Sequence, residues 1–309
     1  MMEAVDRDLV YSEKPATVFL SVHPPYGTLV LGVGLALALI GLTASVVTTV
    51  KRRRERDRAR EALLAEAERE LQTAHEMQMA LMPRESPQIE GLDIAGRCIP
   101  ATDVGGDFFQ YFEQDDKLTL CLADVTGHAM EAAIPVVMFS GILDSQMEQG
   151  GDVEAIVNRL NRASCRNLDD RTFVCFTMGE LGLKTGTLRL SNGGCPYPYH
   201  FLTDTEAVGE LEVDAYPLGV RSDTDYEVVE THLKPGDRVV FCSDGIAEAE
   251  NMDGEQFGYE QTENTIRQAC IEDLSAEATI GRILEVVGAF TGGALQADDM
   301  TCVVLHVEG

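Results

Sequence analysis

The sequence predicts an α+β layered domain that is carried on a single N-terminal membrane helix. From Gly91 onward, short apolar runs alternate with glycine and aspartate turns, which is typical of β-strands. Helical patterns occur in two clusters rather than after every strand, so a regular βαβ arrangement is not expected. We divide the chain into residues 1–27, an apolar helix over 28–50, a helical linker over 51–83 and one compact domain over 84–309.

Residues 28–50 are predicted to form a transmembrane helix. The run TLVLGVGLALALIGLTASVVTTV contains no charged residue and reaches about 34 Å as a helix, enough to cross a hydrocarbon core of about 30 Å. A cleaved signal peptide is the alternative, but it would begin with positive charge and have a shorter apolar core. The basic run KRRRERDRAR follows directly, and the positive-inside rule places that side in the cytoplasm. We expect a single-pass protein of the inner (cytoplasmic) membrane, with residues 1–27 outside and the domain in the cytoplasm.

A continuous helix is predicted over residues 55–82, which lack glycine and proline until Pro83. Apolar and small residues follow the 3-4 spacing of a heptad seam: Leu64, Ala67, Leu71, Ala74, Gln78 and Leu81. Two linkers that leave the same membrane face could pair in parallel and form a homodimer. Alternatively, the helix packs its apolar stripe on its own domain, and the pattern does not choose between the two.

The domain is predicted to contain strands and two pairs of helices. The strands are LDIAGRCIPA, KLTLCLADV, TFVCFTMGEL, TGTLRLSN, RVVFCSDG and MTCVVLHVE. The helices cover residues 129–149, 153–168, 259–271 and 275–290.

The composition is strongly acidic, with 52 Asp and Glu against 24 Lys and Arg and a formal net charge of −28. Such a surface repels phosphate backbones, so no nucleic-acid partner is expected, whereas divalent cations are tolerated. The eight cysteines are scattered without a C-x-x-C pair, which argues against a zinc site or a disulfide framework.

Four acidic turns lie at predicted strand ends: GGDFF with Asp107, LADVTGH with Asp124, CSDGIAEA with Asp244, and ADDMT with Asp298 and Asp299. Carboxylates gathered without a cation resist ionising together, and hard divalent cations such as Mg²⁺ or Mn²⁺ resolve that conflict. Two bridged ions can also activate a water for in-line attack on phosphorus. Each turn alone is ordinary turn chemistry, so the metal-site hypothesis rests on their joint occurrence.

An ordered set of motifs resembles the SpoIIE-like branch of the PPM-type serine/threonine phosphatases. The motifs are AHEMQMALMP, DVGGDFF, LADVTGHAMEAA, SNGGCPYP, YPLGV, CSDGIAEAEN and ADDMTCVVLHV, and the similarity covers roughly residues 70–309. The resemblance implies an αββα sandwich with two Mn²⁺ or Mg²⁺ ions in a cleft at one edge of the sheets. It also implies that a metal-bridging water attacks phosphoserine or phosphothreonine, and that the substrate is a phosphorylated regulatory protein, an anti-sigma-factor antagonist.

The family pattern can be carried over residue by residue. It makes the carboxylate ligands Asp107, Asp124, Asp244 and Asp298, with Asp124 bridging both ions and the carbonyl of Val125 adding a backbone ligand. It leaves Asp299 as an outer partner or as a ligand of a third, weaker ion. The supporting turn residues are Gly105, Gly106, Gly127, His128 and Gly245, whose glycines would let the backbone approach ions or phosphate closely. His128 is also considered as a general acid, although a histidine in such a turn more often caps or packs.

Three departures from the family pattern bear on substrate contacts more than on catalysis. Gln110 and Tyr111 follow GGDFF where a further aspartate is common, Ala129 replaces a glycine in GHAM, and SNGGCPYP stands where NAGHPP is usual.

Two other functions compete with this interpretation. A cyclic-dinucleotide synthase could carry GGDFF behind a membrane helix, but its motif needs an acidic residue where Phe108 stands and a helical segment well upstream of Gly105. A catalytically silent adaptor with the same fold remains the alternative. Loss of metal ligands would be its signature, and all four aspartates are present.

Overall fold

The computed structural model describes residues 26–114, 116–127, 130–169 and 171–309. These residues form two compact units, which are divided after Ala67. The predicted outer segment therefore lies almost entirely outside the described residues, as do His128 and Ala129.

The first unit is formed by most of α1 (Gly27–Met79), one uninterrupted helix that joins the predicted membrane span to the predicted linker. Its apolar part, residues 29–50, is exposed throughout. By length and composition this helix could cross a membrane. The helix ends at Met79 rather than at residue 82, and Leu81 and Met82 continue it as a turn that leads into Pro83.

The second unit contains ten strands and five further helices in its described residues. In chain order they are β1 (Leu92–Ile99), β2 (Asp107–Gln114), β3 (Lys117–Val125), α2 (Met130–Gln149), α3 (Val153–Asn167), β4 (Val174–Gly182), β5 (Thr187–Gly193), β6 (Tyr199–Leu202), β7 (Ala207–Glu210), β8 (Val229–His232), β9 (Arg238–Cys242), α4 (Asp244–Ala247), α5 (Tyr259–Ile271), α6 (Ala276–Thr291) and β10 (Met300–Val307).

The strands form two five-stranded antiparallel sheets. One has the order β1-β10-β9-β6-β7 and the other the order β2-β3-β4-β5-β8. Helices α5 and α6 pack on the first sheet, and α2 and α3 pack on the second. The predicted α+β class and the αββα sandwich are therefore confirmed.

Apolar side chains from both sheets and from α2 form the larger hydrophobic core. Within it, Phe139 on α2 packs edge-on between Phe108 and Phe176, with ring centroids 6.0 and 5.4 Å away. Phe108 follows Asp107 directly, so the first residues of β2 are anchored in the core. This burial gives the strand end that carries Asp107 a rigid support.

The predicted long elements agree with the structure to within one or two residues at most ends, and α5 agrees at both. The sequence patterns do not predict β2, β6, β7, β8 or α4. They predict that Asp107 lies in a turn before β3, whereas Asp107 begins β2. The first four residues of β2 are all buried, so the apolar-polar alternation that identifies a half-buried strand is absent there.

Candidate metal centre

Asp107 and Asp124 face each other across neighbouring strands. They are directly opposite in the antiparallel pair β2 and β3, where the amide of Val125 also donates to the carbonyl of Gly106 at 3.0 Å. Asp107 is only 3% exposed, and its Oδ2 has no hydrogen-bond partner among the residues that the structure describes. Burial and the nearby Asp124 carboxylate raise the pKa of Asp107 well above its usual range. A buried carboxylate with a free oxygen needs a cationic partner to be ionised.

The acidic turns that carry Asp244, Asp298 and Asp299 lie near the carboxylate of Asp124. Burial raises its pKa to about 7, and the charges of Asp244, Asp298 and Asp299 add to the effect. The pKa of Asp244 is also raised, by burial and then by Asp298. The five aspartates that the sequence singled out are therefore brought to one edge of the two sheets.

Ser243 joins the two strand ends that carry Asp244 and Asp298. Its hydroxyl donates to the carbonyl of Asp299 at 3.2 Å and accepts from the amide of Thr301 at 2.9 Å. The carboxylate of Asp298 accepts from the amide of Asp299 at 2.8 Å. These bonds fix the end of β9 against the beginning of β10, so the turns that carry Asp244 and Asp298 are both held by the sheet.

Asp299 holds the glycine turn rather than facing solvent. Its side chain is 5% exposed, and its two oxygens accept from the backbone amides of Ala101, Gly106 and Asp107 at 2.8, 2.6 and 3.2 Å. Hydrogen bonds of this kind satisfy both carboxylate oxygens within the protein. The arrangement favours the outer-partner role for Asp299 over a ligand of a third ion.

Three glycines let these segments approach one another. A Cβ at Gly106 would collide with the carbonyl oxygen of Val125, and one at Gly105 would collide with the Asp299 carboxylate. A Cβ at Gly245 would collide with the carbonyl of Asp299. Gly127 is required for a different reason, because its φ of +126° disfavours any residue with a Cβ.

The donor set fits a hard divalent cation. The oxygens that could hold one belong to Asp107, Asp124, Asp244, Asp298 and the carbonyl of Val125, and oxygen donors suit Mg²⁺ and Mn²⁺. Within the described ranges, no three His, Cys, Asp or Glu side chains stand close enough to chelate an ion as they are placed. Asp298 is exposed and Asp244 half-buried, so rotation of these two side chains could complete a site.

Some residues of the site were missed or misread from sequence. Ser243 was not singled out, and Gln78, interpreted as a seam residue, is buried against Gly105. Gln110, noted only as a departure from the family pattern, donates to the carbonyl of Leu81 and to the hydroxyl of Ser140. A polar residue within an apolar seam was the available signal for Gln78. The prediction for His128 concerns a residue outside the described ranges.

Comparison with known proteins gives the family. Residues 114–308, more than half of the chain, match the family described as "Stage II sporulation protein E (SpoIIE)". The chain belongs to the SpoIIE family. The matched region begins at the last residue of β2 and therefore contains four of the five aspartates, all except Asp107.

A relative of this SpoIIE-family chain is the phosphoserine phosphatase RsbU of Bacillus subtilis. The two are 26% identical over 189 residues, which make up 61% of this chain and 56% of RsbU. The chain spans less than two thirds of the length of the curated relatives it matches.

Solved structures share the fold. The SiaA-PP2C domain of Pseudomonas aeruginosa has a TM-score of 0.70 and 22% identity, over 79% of this chain and 98% of that domain. A structure with the PP2C phosphatase domain of SpoIIE from Bacillus subtilis has a TM-score of 0.62 and 19% identity, over 72% and 65%. The catalytic domain of the serine/threonine phosphatase PstP, solved with two manganese ions, has a TM-score of 0.52 and 17% identity, over 71% and 99%. These likenesses establish the PP2C fold.

Proposed function

We propose that the chain is a metal-dependent protein phosphatase that hydrolyses phosphoserine or phosphothreonine on a regulatory protein. The observation that carries the proposal is the convergence of the acidic turns on Asp124 beside Asp107, a buried carboxylate with one oxygen that has no hydrogen-bond partner among the described residues. Membership of the SpoIIE family and the name of the RsbU relative support the reaction class.

The proposed ligands are Asp107, Asp124, Asp244, Asp298 and the carbonyl of Val125. Divalent cations bound there would supply the charge that activates a water for in-line attack on phosphorus. Asp124 is proposed to bridge two ions because it lies between Asp107, on the adjacent strand, and the turns that carry Asp244 and Asp298. Asp299 would keep the amides of Gly106 and Asp107 in place from outside the ligand shell.

The metal is proposed to be Mn²⁺ or Mg²⁺. The all-oxygen donor set supports either ion. Structures with the same fold are described with two manganese ions in PstP and with magnesium in RsbX.

We also propose that the substrate is a phosphorylated anti-sigma-factor antagonist. The support is the likeness to RsbU and to a Mycobacterium tuberculosis protein whose solved structure contains RsbU and RsbW domains. The acidic surface argues against a nucleic-acid partner.

Residues 28–50 are proposed to anchor the chain in the inner membrane, with residues 51–83 as the linker and 84–309 as the cytoplasmic phosphatase domain. The support is the uncharged, exposed apolar half of α1 and the basic run after it. A homodimer through residues 55–82 is proposed from the exposed upper part of the heptad seam, where Leu64 is 53% exposed.

The proposal is tested by measuring phosphate release from a phosphoserine peptide and an aryl phosphate by a protein spanning residues 51–309. Turnover is expected with Mn²⁺ or Mg²⁺ and not with chelator. Asp124→Asn should lower kcat by about 100-fold or more, because it removes the proposed bridging charge without changing side-chain size. A folded protein without turnover in any metal would contradict the proposal and favour the silent adaptor.

A further inference from the structure

Gln78, near the end of α1, makes a paired contact with the glycine turn. Its side chain is 4% exposed, although glutamine is seldom buried. Its Nε2 donates to the carbonyl of Gly105, and its Oε1 accepts from the amide of Gly105 at 2.9 Å. One side-chain amide therefore satisfies both backbone groups of a single residue.

This pair of bonds needs a donor and an acceptor side by side on one side chain, which an amide provides. A carboxylate offers acceptors alone, and an apolar side chain offers neither donor nor acceptor. Replacing Gln78 would leave the carbonyl of Gly105, its amide or both without a partner in a buried place. Such groups are costly to bury, so the turn would move to find new partners.

The glycine turn is held from its other side by Asp299. The Asp299 carboxylate accepts from the amides of Gly106 and Asp107, and a Cβ on Gly105 would collide with that carboxylate. Gly105 is therefore enclosed between Gln78 and Asp299, and Asp107 is two residues further along the chain. A shift of Gly105 would be passed through two peptide units to the Asp107 carboxylate.

Neighbouring contacts also hold the end of α1 and the turn after it in place beside Gly105. His75 Nδ1 lies 2.6 Å from the carbonyl of Asp103, and Gln110 Nε2 donates to the carbonyl of Leu81 at 3.1 Å. Met82 is buried in the larger core. The segment from residue 75 to residue 82 is thus attached at several points around Gln78.

We propose that Gln78 is a positioning residue of the metal centre, whose amide fixes Gly105 and thereby sets the place of Asp107. The inference rests on the proposed function for the identity of the metal ligands. It does not require that the chain hydrolyse any particular substrate.

The test is direct Mn²⁺ binding by the full chain in detergent micelles, with free Mn²⁺ followed by electron paramagnetic resonance and no phosphate compound present. Gln78→Met removes both hydrogen bonds without adding charge and is expected to weaken Mn²⁺ binding by about tenfold, as loss of an outer partner does in other metal sites. Gln72→Met is the matched control. Gln72 is exposed on the same helix and bonds only to Glu76 among its described neighbours, so its replacement should change the affinity by less than twofold.

A second variant guards against an effect of unfolding. Gln78→Glu keeps the length of the side chain and the bond from the Gly105 amide, and its ionised form, which is favoured by measuring Mn²⁺ binding at pH 8, has no donor. Its added negative charge would strengthen cation binding by Coulomb attraction alone, so weaker Mn²⁺ binding would have to arise from the geometry of the turn. Circular dichroism of the chelated proteins monitors the fold.

Three outcomes would overturn the inference: a folded Gln78 variant that binds Mn²⁺ like the wild type, a wild type that binds no Mn²⁺, or unfolding of both variants. Mn²⁺ binding by a wild type without phosphatase activity would instead contradict the proposed function and leave the role of Gln78 standing. Where activity is present, the half-activating Mn²⁺ concentration should rise in Gln78→Met while KM for an aryl phosphate stays unchanged.

Discussion

At the scale of single residues, the place of Asp107 depends on small and amide-bearing neighbours as much as on the other carboxylates. Gly106 lies against the carbonyl oxygen of Val125, and a Cβ there would also come within 3.1 Å of Asp124 Oδ1. The nearest of these atoms, the carbonyl oxygen of Val125, belongs to a backbone that is held in a strand pair, so it cannot move away as a flexible side chain could.

Gly106→Ala is therefore expected to displace either Asp107 or the end of β3. We predict that it lowers phosphatase activity by at least about tenfold and destabilises the fold by about 1–3 kcal/mol, as overpacking does. Phosphate release at saturating Mn²⁺ and denaturant unfolding measure the two effects.

Gly281→Ala in α6 is the matched control, because among the described residues the added Cβ would meet nothing within 4 Å apart from its chain neighbours and the backbone of its own helix. This substitution should leave activity unchanged and stabilise the helix by about 0.5–1 kcal/mol. Equal activity of the two variants would show that the close approach of Gly106 to Val125 is not required.

At the scale of elements, α1 has an exposed apolar segment near its beginning and a segment that packs on the domain near its end. Its residues 29–50 are exposed and apolar, whereas near its end Gln78 is buried, and the turn that follows buries Met82. The predicted seam divides in the same way. Leu64 and Ala67 are exposed, whereas Leu71, Ala74 and Leu81 are half-buried and Gln78 is buried. The interpretation that the linker packs on its own domain is confirmed for residues 78–82, while pairing between chains stays a prediction.

Deletion of residues 28–50 is predicted to release the protein from membranes. The full chain should remain in the membrane pellet after high salt and alkaline extraction, because burial of an uncharged helix is independent of ionic strength. The deleted protein should be soluble, and fractionation followed by immunodetection compares the two proteins.

Light scattering on the full chain and on the deleted protein gives their masses. A dimer is expected in each because residues 55–82 are retained.

Arg52, Arg53 and Arg54 provide the control for this experiment. Replacing all three by Gln weakens attraction to anionic headgroups but keeps the apolar span, so resistance to extraction should persist. A deleted protein that still pellets with the membrane would contradict the proposed anchor.

At the scale of the whole molecule, electrostatic repulsion opposes folding in the absence of cations. The chain has a net charge of −28, and the site edge gathers Asp107, Asp124 and Asp244, whose pKa values are all raised. A carboxyl group with a higher pKa in the folded state stabilises that state below the unfolded pKa. This stabilisation is lost as pH rises through the folded pKa.

For Asp124 the relevant window extends from pH 3.8 to about 7. We predict that the chelated wild type loses unfolding free energy across this window relative to Asp124→Asn, which cannot ionise. The difference should be largest above pH 7, and denaturant unfolding at a series of pH values measures it.

Addition of Mn²⁺ should reverse this loss. Because cations bind the ionised carboxylates, the rise in melting temperature of the wild type should be larger at pH 8 than at pH 5.5. A rise that is equal at both pH values, or that is as large in Asp124→Asn, would contradict the placement of Asp124 in the metal site.

Local sequence patterns were sufficient to predict β3, which carries Asp124, and the strands β9 and β10, which flank Asp244 and Asp298, because apolar runs and glycine turns depend on neighbouring residues. The same patterns defined an uncharged helix and the motif order that indicated the family.

Local sequence patterns could not predict that Asp107 begins a strand, because the first residues of β2 are buried on both faces of the strand. Nor could they distinguish Asp299, whose carboxylate accepts from backbone amides, from the aspartates that are proposed as metal ligands, or find the contact of Gln78 with Gly105. The Asp299 bond to Asp107 joins residues 192 positions apart, and the bond between Gln78 and Gly105 joins residues 27 positions apart. Contacts over such separations exist only once the two sheets have closed, so the tertiary structure alone decided which polar groups hold the turn and which remain open for a cation.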